Sequence, residues 1–241
     1  MKMNTIKIEN RTVKMIAHRG LSGIECENTN AAFIAAGNRS YYGIECDVHT
    51  TKDGKFAIIH DDNTGNVCDT NISVEGSDME ELKSLVLKNP KVDEYRADYK
   101  IPELSEYIGV CKKYGKTSVL ELKNRIEKPE IEKIIEIIKG EGYIDDVVFI
   151  SFDWQNMIDV RSIYPKSRVQ FLCCKCDDEL IERLTQHKID LDIDKKSVTP
   201  ELIQKLHERG LEINCWTVDD KEEAERLVSW GVDYITSNIL E

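Results

Sequence analysis

The chain has 241 residues, 41% of them hydrophobic and 32% charged, and its 33 Lys and Arg against 45 Asp and Glu leave a net charge of −12. That apolar content excludes bulk disorder, and the acidic balance, with no block of five like basic charges, argues against nucleic acid as the main partner, since a duplex binder usually neutralises phosphates with Lys and Arg. No stretch approaches the ~18 consecutive apolar residues of a membrane span and the opening MKMNTIKIENRTVKM interleaves polar and charged side chains, so a cytoplasmic protein is expected.

From residue 13 onward short apolar runs alternate with amphipathic patterns. Strands are expected at 13–17, 43–48, 118–122, 147–151, 169–173, 189–193, 212–218 and 233–236, with helices at 29–36, 103–114, 129–138, 154–163, 178–187, 200–209 and 221–230. Gly37, Gly115, Gly210 and Gly231 stand where helix C-terminal caps are expected. This rhythm predicts an α/β fold, a (β/α)8 TIM barrel, with a doubly wound sheet as the alternative. One segment breaks it. Lys52-Asp53-Gly54-Lys55 reads as a hairpin turn into a strand at 56–60, and residues 61–100 carry one weak helical pattern around 79–87. A small insertion, or cap, is therefore expected after the second strand, inside a single domain spanning 1–241.

The eight cysteines are scattered along a chain large enough to need no staples, so reduced thiols are expected. The one cluster, Cys173, Cys174 and Cys176, lacks the paired spacing and nearby His of a zinc site and is assigned to strand packing.

In a parallel barrel the active site is built where strands end at the C-terminal face. The first strand here runs into His18-Arg19-Gly20, the second contains Glu45 and Asp47, the excursion strand ends in His60-Asp61, the next barrel strand closes with Glu121 and Lys123, and the seventh carries Trp216. Residues two apart on a strand share a face, which aims Glu45 with Asp47, and Glu121 with Lys123, into one mouth. Three carboxylates there repel one another unless a cation neutralises them. An all-oxygen set suits a hard divalent ion, Mg2+ or Ca2+, and leaves His18 and His60 free for proton transfer. His49 shares the parity of Glu45 and Asp47 but precedes the turn, so a structural role is expected ahead of a ligand role; His187 and His207 sit on helices and read as structural.

The stretch IAHRG…ENT…GIECDVHTTKDGKFAIIHDD, followed by LELK at 120–123 and CWTVDD at 215–220, resembles the signature of the glycerophosphodiester phosphodiesterases, metal-dependent (β/α)8 barrel enzymes. The resemblance implies that Glu45, Asp47 and Glu121 ligate the metal, that His18 and His60 are the acid/base pair, and that Arg19 and Lys123 contact the phosphate. It implies supporting roles for Glu27 and Asn28 of ENT, with Glu27 near the metal, and for Asp61, and makes Trp216 a wall of the glycerol pocket. The chain departs from the family after HDD, where it reads NTGNVCDT, and after the last strand, where it reads Thr236-Ser237-Asn238. The expected reaction is hydrolysis of a small glycerophosphodiester to glycerol 3-phosphate and an alcohol, with the glycerol 2-hydroxyl as an implied nucleophile. Its rivals are a phospholipase-like lyase acting on lysophospholipid or sphingolipid, and a catalytically silent barrel that binds phosphometabolites. The sequence carries no signal for oligomeric state.

Overall fold

Parallel strands bury both faces and need helices to cover them, and the alternating pattern supplies both. The computed structural model describes residues 4–9, 12–89 and 91–241. Residues 1–3, 10 and 11 of the anticipated domain, and Pro90 of the anticipated excursion, lie outside the described residues.

The chain enters through β1 (Lys14–Ala17), α1 (Asn30–Gly37) and β2 (Gly43–Thr50). It then makes the excursion: β3 (Phe56–Ile58), α2 (Met79–Ser84) and the small hairpin of β4 (Lys88–Asn89) and β5 (Glu94–Tyr95). The strand–helix rhythm resumes with α3 (Leu104–Tyr114), β6 (Thr117–Leu122), α4 (Lys128–Gly140), β7 (Val147–Ser151), α5 (Trp154–Ile163) and β8 (Arg168–Cys173). It ends with α6 (Asp178–His187), β9 (Asp190–Asp194), α7 (Pro200–His207), β10 (Ile213–Trp216), α8 (Lys221–Trp230) and β11 (Tyr234–Ser237).

Eight of these strands, β1, β2 and β6 to β11, pair in parallel. The ring closes because β1 bonds to both neighbours, Ala17 against Ile44 of β2 and against Ser237 of β11. This is the anticipated (β/α)8 TIM barrel. Most of the apolar core lies between the strands and the helix ring, while a smaller cluster of Ile16, Val119, Val148, Ile150, Leu172 and Tyr234 fills the barrel interior. All eight cysteines are free.

Two details differ from expectation. The strand anticipated at 56–60 is antiparallel to β2, with His49 opposite Ala57, and ends at Ile58. Ile59 still donates its N–H to Asp47 O at 3.0 Å, after which the chain turns across the mouth. Gly115, Gly210 and Gly231 take the positive φ expected after helices, but Gly37 is the last residue of α1 and Asn38 caps it. Gly37 is required by packing: a Cβ there would lie 2.6 Å from the Tyr114 ring.

The excursion has its own core, in which Val74, Met79, Leu82, Leu87 and Tyr99 are fully buried. It is pinned to the loop after β1, where Lys91 Nζ donates to Ser22 O at 2.6 Å and Arg96 Nη1 to Glu25 Oε2 at 2.7 Å.

Candidate active site

The parallel register of β2 and β6 sets Asp47 directly beside Glu121, and Glu45 lies two residues back on the same face. Oxygens of Glu45, Asp47 and Glu121 approach within 4.8 Å of one another, and the three residues are 3%, 1% and 8% exposed, so water screens their repulsion poorly. Two cations share the pit. Lys123 Nζ lies 2.8 Å from Glu121 Oε1 and 3.6 Å from Asp47 Oδ1, and Arg19 Nε lies 3.5 Å from Asp47 Oδ2. Asn28 Nδ2 also donates to Asp47 Oδ2, at 2.8 Å.

The three acids consequently titrate apart. Burial, with Asp47 and Glu121 beside it, pushes Glu45 well above the carboxylate range, and burial and Asp47 push Glu121 up to about 7. Burial opposes ionisation of Asp47 too, but Arg19, Lys123 and His60, with the Asn28 bond, outweigh it and hold Asp47 below its usual value. One firm anion thus sits between two carboxyls that resist ionising. Asp47 Oδ1 is buried with no hydrogen-bond donor. An all-oxygen donor set with an oxygen left over is what a hard divalent cation fits.

The turn after β1 brings the second half of the site to the first. Arg19 and Gly20 are both left-handed, at φ +53° and +74°, a conformation that costs a non-glycine residue on the order of 1 kcal/mol. Gly20 N–H bonds to Glu45 O at 3.1 Å, and Arg19 N–H to Glu45 Oε2 at 2.7 Å. A Cβ on Gly20 would fall 2.7 Å from the Ala32 backbone, so α1 and this turn fit only with glycine. Arg19 Nη1 donates to Glu27 Oε1 at 2.7 Å. Glu27 therefore meets the site through Arg19.

His18 and His60 face the carboxylates in different settings. His18 Nδ1 lies 2.9 Å from Asn238 Oδ1, and Asn238 is oriented by donating Nδ2 to Asp219 Oδ2 at 2.6 Å while accepting from Ser22 Oγ, also at 2.6 Å. An amide oxygen only accepts, so the His18 proton sits on Nδ1 and Nε2 carries a lone pair. Burial and the Arg19 charge hold His18 down to about 4, which keeps the ring neutral at pH 7. His60 Nδ1 instead lies 2.5 Å from Asp61 Oδ1. His49 is fully buried outside the carboxylate group, with Nε2 3.2 Å from His60 O and Nδ1 3.2 Å from Glu75 Oε1. It ties β2 to the excursion, which agrees with a structural role.

A cavity of about 70 Å³ opens among His18, Glu45, Glu121, Phe152, Asp192 and Trp216. Phe152 and Trp216 meet edge to face with ring centroids 5.8 Å apart. A wider groove of about 580 Å³ leads outward from His60 and Lys123 past Asp62, Asn66, Asn71 and Asn124. Sequence reasoning passed over Phe152, Asp192 and the Asn238–Asp219 pair. A usable signal existed for one of them: β9 reads DLDID, which puts acids on the inner face and Leu191 and Ile193 under the helices.

A closed eight-stranded barrel with three carboxylates, two cations and two histidines gathered at one mouth places its polar cluster where barrel enzymes build their active sites. The model of the glycerophosphoryl diester phosphodiesterase family matches residues 18–240, and the chain belongs to this family; it is a phosphoric diester hydrolase. The glycerophosphodiester phosphodiesterase of Caldanaerobacter subterraneus subsp. tengcongensis is 32% identical over 227 residues, 93% of each chain. That of Bacillus altitudinis is 29% identical over 92% of this chain and 93% of its own. Among solved structures, an Oleispira antarctica phosphodiesterase in complex with the product sn-glycerol-3-phosphate superposes with a TM-score of 0.86 at 26% identity, covering 94% of this chain and 93% of that one.

Proposed function

We propose that the chain hydrolyses a glycerophosphodiester with a choline- or ethanolamine-like alcohol to glycerol 3-phosphate, using a divalent ion held by Glu45, Asp47 and Glu121. The observation that carries this reading is the convergence of three buried carboxylates within 4.8 Å, two of which, Glu45 and Glu121, line one cavity with His18 and His60. Such an ion, Mg2+ or Ca2+, supplies charge neutralisation to the phosphoryl oxygens. Arg19 and Lys123, already balanced against the carboxylates, are the side chains that orient the phosphate and take up the charge it develops.

The histidines divide the proton traffic. His18, with its proton held on Nδ1 by Asn238, presents the Nε2 lone pair and acts as the base toward the nucleophile. His60, with Asp61 on Nδ1, is set up to carry a proton on Nε2 to the departing alkoxide, the carboxylate steadying the imidazolium. Trp216 walls the glyceryl side of the cavity. Residues 61–100 form a cap within one barrel domain spanning 1–241, and the wider groove under it receives the alcohol. The lyase and silent-barrel readings are not favoured: relatives across nearly the whole chain carry the diesterase name, and every proposed catalytic position is filled.

The test is release of glycerol 3-phosphate from a panel of glycerophosphodiesters with Mg2+, Ca2+ or Mn2+ added to chelator-treated protein. Turnover that requires one of these ions is expected. Full activity after chelation, or no product with any ion, would overturn the reading.

A further inference from the structure

Building on the glycerophosphodiester reading, we infer that Asp192 is a specificity-determining residue that holds the terminal hydroxyl of the glyceryl group inside the barrel.

Asp192 is 1% exposed on β9 and lines the cavity that His18, Glu45 and Glu121 share. The fold uses only half of it. Its Oδ2 accepts from Asn214 Nδ2 at 3.0 Å, while its Oδ1 is buried with no partner. Asn214 is itself locked on β10, because Nδ2 also donates to Thr236 Oγ1 at 2.9 Å and Oδ1 accepts from the same hydroxyl at 3.2 Å. The carboxyl is therefore held in one orientation with one oxygen left over, and a buried polar atom without a partner is costly. Packing alone gives no reason for it, since Leu172 on the adjacent β8 and Ile150 on β7 line the same cavity with hydrocarbon.

The surroundings decide what that oxygen binds. Burial, against a single hydrogen bond from Asn214, pushes Asp192 up to about 8, and Glu121 adds to the effect, so the position does not attract a phosphate. Trp216, Phe152, Ile150 and Leu172 present hydrocarbon, and the Trp216 indole N–H also lacks an acceptor. A small neutral group with carbon on one side and a hydroxyl on the other satisfies all of these. A space of about 70 Å³ holds roughly five water-sized sites, the scale of a glyceryl group. With the phosphate at Arg19 and Lys123, the terminal hydroxyl is the part of glycerol that reaches furthest inward. The alcohol is left to the open groove beyond His60.

The experiment compares kcat/KM on glycerophosphocholine and on its analogue lacking only the terminal glyceryl hydroxyl, for the wild-type chain, Asp192→Asn, Asp192→Leu and Asp192→Ala. The wild type should prefer the hydroxylated substrate by on the order of 10²-fold. Asp192→Leu should lose about that factor on glycerophosphocholine and less than about threefold on the analogue, and Asp192→Ala repeats the test with atoms only removed. Asp192→Asn, which keeps a free hydrogen-bonding atom, should fall between. Mg2+ affinity by calorimetry should stay within about twofold of wild type in all three, which separates this role from support of Glu121. Equal losses on both substrates, or an altered choline-to-ethanolamine ranking with the hydroxyl preference intact, would overturn the assignment. A wild-type chain that cleaves neither substrate would instead sink the function proposed above.

Discussion

Glu121→Gln removes one charge from the carboxylate group at constant size, and its effects on stability should have opposite signs with and without the ion. In ion-free protein the Glu121 carboxyl titrates at about 7 against an ordinary value of 4.5, because burial and Asp47 outweigh Lys123. Below 4.5 both the folded and the unfolded chain hold the proton and the group is neutral to stability. As pH rises from there the unfolded chain ionises first, so stability falls through the window, and above about 7 the full penalty stands. The gap corresponds to about 3 kcal/mol, and the variant recovers most of it because Lys123, on losing Glu121, keeps Asp47 as its other partner. The amide relieves this penalty, and at ~2–4 °C per kcal/mol for a chain of this size the variant should melt about 5–10 °C higher than wild type at pH 8. At pH 4.5 the difference should vanish. Saturating Mg2+ or Ca2+ should reverse the order, since the wild type keeps three anionic ligands and the variant two, and turnover should fall by about 10²-fold or more. Scanning calorimetry after chelation, then with titrated ion, measures all of this. An ion-free variant less stable than wild type at pH 8, or an ion-induced rise in Tm equal for both, would refute the reasoning.

The roles of the histidines separate by leaving group: His60→Ala should lose about 10²–10⁴-fold on glycerophosphocholine but much less on a nitrophenyl ester of glycerol phosphate, which departs without a proton, whereas His18→Ala should lose equally on both. Rescue of His18→Ala alone by the activated ester would reverse the assignment. Asn238→Leu removes the acceptor that keeps the His18 proton on Nδ1, so kcat should drop about 10²-fold with KM little changed, and an unaltered kcat would show that the tautomer is set elsewhere. Met79→Ala, at a fully buried position of the excursion, should cost about 2–4 kcal/mol locally, seen as faster amide exchange across 61–100 before any in the barrel. Replacing 71–88 by a Gly-Ser linker strips Val74, Met79, Leu82 and Leu87 and should both lower Tm and reorder the preferred head groups; an unchanged order would show that the excursion does not select them.

The barrel was legible because each of its signals is local. Strand runs such as VVFIS and the helical stripes between them report burial within a few residues, and the two-residue period alone aims Glu45, Asp47, Glu121 and Lys123 at one mouth. The excursion was less legible for the same reason. Its core is gathered largely from single apolar residues outside any helix, Val67, Val74, Leu87 and Tyr99, and only Met79 and Leu82 on the short α2 repeat with a helical spacing. Gly37 shows a further limit: a glycine near a helix end reads as a cap, while its real constraint is a Tyr114 ring from another helix.

What sequence spacing hides most completely is the support of the site. His18 and Asn238 are 220 residues apart and meet only because β1 and β11 close the barrel, so the residue that sets the tautomer of the proposed base stood, in the sequence, merely as a departure after the last strand. Asp192 was hidden differently. Its strand was located, but an acid in mid-strand announces no partner, and only the closed barrel shows that Asn214 takes one oxygen and leaves the other unpaired, on a residue that lines the same cavity as His18 and Glu121. The side chains proposed to do chemistry sit at strand ends, where local pattern places them, whereas those proposed to orient them or to choose the substrate depend on neighbours across the ring. The groups most open to functional tuning are therefore the ones a linear reading is least able to supply.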